Sequence, residues 1–169
     1  MEGHRSVVCA ASYEARAFGV RSAMPAKHAE RLCPEGIFVA PDFTRSRAVS
    51  GNVREIFTRH TDLVEPLSLD EAYLDVTTNK TGLPTATLVT RTIREQIRKE
   101  LNLTASAGVA PNKFLAKLAS DWKKPDGLFV IQPEEVDAFL LPLPVGRLPG
   151  VGKVNEDRLA KLGVNPMIR

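Results

Sequence analysis

Leu67-Ser68-Leu69-Asp70-Glu71-Ala72-Tyr73-Leu74-Asp75-Val76 sets two adjacent carboxylates inside an apolar, strand-like run. A run of that composition belongs in an interior, where an unpaired carboxylate is costly or takes up a proton. Two in succession suggest a compensating cation, and a hard divalent ion such as Mg²⁺, held by carboxylate oxygens, is the natural candidate. The alternative is a hairpin tip that turns both acids to water.

The flanks supply the frame. Upstream, from Thr44 to about His60, Val49, Val53, Ile56 and Phe57 form one stripe of an amphipathic helix. Downstream, a Gly82-Leu83-Pro84 loop precedes a second long helix carrying Val89, Ile93, Ile97 and Leu101 every fourth residue, with arginines and glutamates on its outer face. Thr104 to Ala110 reads as a strand of small residues, and Asn112 to Trp122 as a short basic helix. The order helix, strand, strand, helix, strand predicts an α+β, ferredoxin-like (βαββαβ) unit lacking its first strand.

Before this unit, residues 6–12 read as a short buried strand, Gly19 breaks the pattern, and Met24-Pro25 opens a helix that ends near Pro34. Ile37 to Ala40 reads as another short strand, so the first ~40 residues predict a small α/β unit. After it, Lys123-Lys124-Pro125-Asp126-Gly127 is a turn and a domain boundary by composition. A strand at Leu128 to Ile131 and a helix from Pro133 to Leu140 follow.

Composition narrows the function classes. The chain has 169 residues, 43% hydrophobic and 25% charged, with a net charge of +3 and a pI near 9.0. These values are ordinary for a soluble globular protein and permit a polyanionic partner without requiring one. No apolar run approaches the ~20 residues that span a bilayer, and no signal-type apolar region follows Met1 to Arg5, so a cytoplasmic protein without membrane contact is expected. Cys9 and Cys33 are far apart, without a CxxC, and are read as buried structural thiols rather than zinc ligands. His4, His28 and His60 have no metal-ligand spacing and receive no role.

Three further patterns bear on chemistry. Leu148-Pro149-Gly150-Val151-Gly152-Lys153-Val154 links two short helices and resembles a helix-hairpin-helix motif, which grips the DNA backbone without reading bases. There Gly150 and Gly152 would leave amides free for a phosphate, Val151 would anchor the turn, and Lys153 would add charge; a tight turn needing two positive-φ glycines is the plainer alternative. Tyr13 and Arg16 lie one helical turn apart, so a phenol and a guanidinium could converge on a triphosphate. Lys113 and Lys117 share one face of the basic helix, which by itself reads first as an ordinary solvated surface.

Taken together, these segments resemble the Y-family translesion DNA polymerases, closest to the bacterial DNA polymerase IV branch. The resemblance runs through Ser12-Tyr13-Glu14-Ala15-Arg16 with Phe18 to Pro25, Pro66 to Asp75, Ala105 to Ala110 leading into Lys113 to Asp121, and Pro149 to Lys153. It covers essentially the whole chain in order. It implies partial fingers at 1–42, a partial palm at 43–124 that lacks its N-terminal strand, and a partial helical thumb at 125–169 carrying the helix-hairpin-helix, with no little finger.

By analogy, Asp70 and Glu71 would ligate catalytic Mg²⁺, two ions in the complete enzyme, for in-line displacement on a primer end. Tyr13, Arg16 and Lys117 would hold the incoming deoxynucleoside triphosphate, and Gly150, Val151, Gly152 and Lys153 the primer–template DNA. A sliding clamp would be a partner only of the full-length protein.

The departures are also part of the resemblance. Family members open with an Asp-x-Asp strand and an aromatic ribose gate, and nothing before Tyr13 supplies either. Ala10 stands where many relatives carry a phosphate-contacting threonine. The reading is therefore a polymerase truncated at both ends, with its 169 residues inactive or nearly so by themselves and apolar strand edges left open. Two other classes compete: a non-catalytic DNA-backbone-binding module, and a nucleotidyl cyclase built on a similar palm, which would not need the hairpin at 148–154.

Overall fold

Ser12 Oγ accepts a hydrogen bond from the Ala15 amide at 3.2 Å and so starts α1 (Tyr13–Ala17), a helix of five residues. The computed structural model describes residues 6–164, and the chain divides into two compact units, Met1–Arg45 and Ser46–Arg169. Residues 1–5 and 165–169, which include His4 and the closing Asn165 to Arg169 of the expected thumb, lie outside the described residues. Among the described residues no helix is long and apolar enough to cross a membrane.

In the first unit, Gly19 turns the chain at φ 87°, and α2 (Ala26–Leu32) follows Pro25, burying Ala29. Pro25 sits at the N-cap, just outside the first helical turn. Among the described residues neither strand expected here forms. Residues 6–12 make only one isolated bridge, Val7 opposite Pro25, because the partner segment turns into α2 directly after it. Ile37 and Val39 are 92% and 83% exposed, with no ladder among the described residues to pair their backbone. Cys9 is exposed and Cys33 half-buried, so neither thiol is the buried packing residue expected of it.

The second unit starts within α3 (Phe43–Thr58), whose buried Ile56, with Val53 and Phe57, faces the core as the periodicity predicts. β1 (Val64–Pro66) and β2 (Ala72–Leu74) form an antiparallel hairpin with Glu65 opposite Tyr73. α4 (Ala86–Leu101) begins at Thr85, whose hydroxyl accepts from the Leu88 amide, and ends on Asn102 in the left-handed region. Its Val89, Ile93 and Ile97 are buried against α3 and Leu74 and Val76, forming the first core.

β3 (Ala107–Val109) leads to α5 (Lys113–Trp122), which starts where Asn112 Oδ1 accepts from the Leu115 amide at 2.9 Å. β4 (Leu128–Val130) runs parallel to β3 with Phe129 opposite Gly108. A 3-10 turn at Pro133–Glu135, α6 (Val136–Leu140) and a second 3-10 turn at Val145–Arg147 then fold back on α5. Leu115, Leu118, Ala119, Ile131 and Leu143 form the second core. Trp122, Phe129 and Phe139 pack ring to ring beside it, and the Arg147 guanidinium lies 5.2 Å from the Trp122 ring centroid. α7 (Lys153–Lys161) is the last described element.

The element order agrees with the α+β expectation. Its strands form two separate two-stranded sheets, β1–β2 and β3–β4, rather than one ladder among the described residues. Arg94 ties the region between the cores: it donates to the Ala105 carbonyl at 2.7 Å and to the Asp126 backbone and carboxylate at 2.7 and 2.9 Å. Periodicity assigns Arg94 to the outer face of α4, but this network draws its side chain inward.

Candidate active site

Leu67 to Glu71 close the β1–β2 hairpin, so the two acids stand at its tip and not in a buried strand. Pro66 ends β1 because it has no amide to continue a ladder, and the Leu67 and Ser68 amides both donate to the Glu71 carbonyl, at 2.9 and 3.2 Å. Leu67 and Leu69 are left about half exposed, and Asp70 and Glu71 face water. Leu67 and Leu69 therefore belong to a turn, and of the two placements open from the sequence, interior run or hairpin tip, the hairpin tip is the one found. Solvent removes the burial argument for a cation. What remains is the chemistry of the donors themselves.

Those donors are held from three sides. Ser68 Oγ donates to Asp70 Oδ1 at 2.6 Å. Arg54, on α3, donates to the Ser68 carbonyl at 3.3 Å. Lys117 Nζ lies 2.5 Å from Glu71 Oε1, with the two side chains 24% and 41% exposed. One turn earlier on α5, Lys113 forms an ion pair with Glu65 and sits 5.8 Å from the Tyr73 ring centroid. Lys117 and Glu71 are thus brought together, and Lys113 joins them. Asp75 lies outside this cluster: it closes a turn by accepting from the Thr77 side chain and amide, which hold its carboxyl below the ordinary value.

The small-residue strand is what brings α5 this close. A Cβ on Gly108 would stand 2.2 Å from the Ala116 carbonyl oxygen and 2.4 Å from the Ser120 nitrogen. Only hydrogen fits there, so α5 lies directly on β3 and carries both lysines toward the hairpin.

Among the described residues no group of three or more His, Cys, Asp or Glu side chains is arranged to hold a metal. Mg²⁺ nonetheless uses one or two carboxylates and completes its octahedron with water and substrate phosphate. The neighbouring oxygen donors Asp70 and Glu71 fit that limited role.

In the first unit, Tyr13 and Arg16 share α1. The Arg16 guanidinium lies 5.8 Å from the Tyr13 ring centroid while its Nε donates to the Ala11 carbonyl at 3.1 Å. Tyr13 is 53% exposed.

At 148–154, the turn bends through Gly150 at φ 87°, whereas Gly152 caps α7 at φ −84°, a value open to any residue. One positive-φ glycine, not two, makes this turn. Val151 is half-buried. Lys153 is exposed and paired along its own helix with Asp157 at 3.0 Å and Glu156 at 3.4 Å; the Asp157 hydrogen bond leads in raising its pKa.

Comparison with known proteins gives this arrangement a context. The family model described as the impB/mucB/samB family matches residues 1–121. The chain belongs to the impB/mucB/samB family. A second model, described as the IMS family HHH motif, matches residues 133–164. Among curated relatives within this family context, DNA polymerase IV of Stenotrophomonas maltophilia is 75% identical over 162 residues, covering 96% of this chain and 46% of the relative. DNA polymerase IV of Neisseria meningitidis is 58% identical over 163 residues, with the same coverage of both chains. The chain thus spans about half the length of the curated relatives it matches.

Solved structures agree on the fold. DinB from Sulfolobus solfataricus superposes at a TM-score of 0.89 with 38% identity, over 98% of this chain and 49% of that one. An insertion ternary complex of Dbh DNA polymerase gives 0.89 at 39% identity, over 95% and 47%. The Y-family resemblance and the α+β class expected from sequence both stand for this impB/mucB/samB chain.

Proposed function

We propose that this chain carries part of the nucleotidyl-transfer machinery of a translesion DNA polymerase, which adds deoxynucleotides to a primer end on damaged template DNA. The observation that carries the reading is the meeting of Glu71 and Lys117 at an exposed hairpin tip in a chain of this family. Asp70 and Glu71 are the proposed ligands of divalent metal, with Mg²⁺ the physiological ion. Two such ions, when bound, supply charge stabilisation for the attacking and leaving oxygens.

The chain's own residues do the rest. Lys117 donates from its ammonium to phosphate oxygens; in the first unit, the planar Arg16 fork suits bidentate contact with a phosphate. The Tyr13 hydroxyl, beside Arg16 on α1, is a further proposed donor to triphosphate oxygen. The hairpin from Gly150 to Lys153 contacts the DNA backbone through amides and charge, fixing register without reading sequence.

Partial fingers at 1–42, a partial palm at 43–124 and a partial thumb at 125–169 are the proposed divisions, and the cytoplasm the proposed location. The 169 residues alone are proposed to extend primers weakly or not at all. A sliding-clamp contact is proposed only for a protein of the relatives' full length.

The matched helix-hairpin-helix segment also suits a non-catalytic DNA-backbone-binding module. Equilibrium binding of a correctly paired deoxynucleoside triphosphate to the chain on primer–template DNA separates the two. The polymerase reading expects Mg²⁺-dependent binding that Asp70→Asn abolishes. DNA binding without any Mg²⁺-dependent nucleotide affinity would leave the module reading in its place.

A further inference from the structure

Three-residue strands make a marginal hairpin, so the tip that bears Asp70 and Glu71 needs external support. Two lysines on α5 supply it. Lys117 meets Glu71, and Lys113 meets Glu65 while facing the Tyr73 ring. The spacings match: Lys113 and Lys117 are one helical turn apart, a rise of about 6 Å, while Tyr73 and Glu71 are two residues apart, about 6.6 Å along an extended chain. Glu65 and Tyr73 are cross-strand partners, so their side chains share one face of the hairpin.

The two attachments differ in fate. In the proposed chemistry Glu71 is taken by metal and Lys117 by phosphate, so their ion pair is given up when the site fills. Lys113 has no such duty, and its hold on Glu65 and Tyr73 can persist. Resting on the polymerase reading above, we infer that Lys113 is a positioning residue: acting through Glu65 and Tyr73, it keeps the hairpin at the height on α5 where Asp70 and Glu71 can share an ion.

This role has a sign that simple electrostatics lacks. A lysine acting only as a nearby positive charge repels a cation, so its removal tightens metal binding. A lysine that positions the ligands does the reverse. Mn²⁺ titration of the 169-residue chain at neutral pH, followed by electron paramagnetic resonance, reads the difference without needing activity.

Lys113→Met is expected to weaken Mn²⁺ binding about fivefold, the scale of an exposed ion pair. Lys113→Arg should retain wild-type affinity. Glu65→Gln should weaken binding similarly, and the double variant Lys113→Met/Glu65→Gln should be no worse than either single one, because the two act through one contact. Unchanged or tighter binding in Lys113→Met, with Mn²⁺ still lost in Asp70→Asn, overturns the inference and leaves the polymerase reading intact. No Mn²⁺ binding by the wild type, or binding indifferent to Asp70→Asn, overturns both.

Discussion

Lys117 Nζ and Glu71 Oε1 lie 2.5 Å apart across 46 residues of sequence, so the proposed phosphate ligand and the proposed metal ligand neutralise each other before either meets its substrate. Filling the site exchanges this pair for two others. Lys117→Met should therefore tighten Mn²⁺ binding about threefold without nucleotide, an exposed-pair effect. It should weaken triphosphate binding by about tenfold, the loss of a charge-assisted contact. Paired metal and nucleotide titrations check this; a variant that loses affinity for both would contradict the exchange.

Gly108 and Gly51 receive opposite predictions for the same substitution. Gly108→Ala drives a methyl into the backbone of α5 and should cost about 3 kcal/mol, while reducing Mn²⁺ affinity because α5 must withdraw. Gly51 stands in α3 with nothing within 4 Å of the point a methyl would occupy, so Gly51→Ala should stabilise by about 0.7 kcal/mol through helix propensity. Urea unfolding of both variants tests the pair.

Ile93 is 6% exposed in the α3–α4 core. Ile93→Ala should lower stability by about 3 kcal/mol, from lost burial plus the residual cavity. Calorimetry should show the loss, and a change below about 1 kcal/mol would mean that the core collapses around the gap.

Asp126 carries the clearest pH dependence. Desolvation pushes its carboxyl up, but hydrogen bonds and charge from Arg94 and Arg98 outweigh that and leave it below the ordinary value. A carboxyl lowered on folding stabilises the native state above its unfolded pKa, and that contribution disappears as pH falls through the folded value. The stability gap between wild type and Asp126→Asn should thus be constant near neutrality and close below about pH 4. Denaturant midpoints measured across that range provide the check.

At the turn before α7, Gly150→Ala must place a side-chain residue at φ 87°, at a cost of about 1 kcal/mol. In the proposed DNA contact, Lys153 should contribute less to affinity than an unpaired lysine, since Asp157 and Glu156 compete for it. Lys153→Ala is expected to weaken DNA binding about twofold and flatten its salt dependence, read by fluorescence anisotropy at several salt concentrations.

Sequence periodicity suffices for α3, α4 and α5 because helices of their length carry several turns of signal, and Val89, Ile93 and Ile97 are buried as their spacing requires. It misleads at 6–12 and 37–40, where an apolar run is a strand only if another strand lies beside it. The same ambiguity leaves Asp70 and Glu71 open between an interior strand and a hairpin tip, although Pro66 already signals the end of a ladder. Arg94 reaches Asp126 across 32 residues, a distance no local pattern encodes. His60 is equally silent in the sequence: it is 1% exposed, with Nε2 2.9 Å from Gln96 Oε1 on α4, and no spacing announces such a pair. Gly108 has a visible signal in the small residues of its strand, whose meaning is close backbone approach.

Trp122 is the chain's sole tryptophan, and it is wedged among Phe129, Phe139 and Arg147. Intrinsic emission from this molecule consequently has a single dominant reporter, seated on the second core and remote in sequence from the α3–α4 layer. An optical melting curve will register detachment of the segment around Phe139, while circular dichroism follows the helices as a whole. Divergence of the two signals on heating would reveal that the layers let go in sequence rather than together.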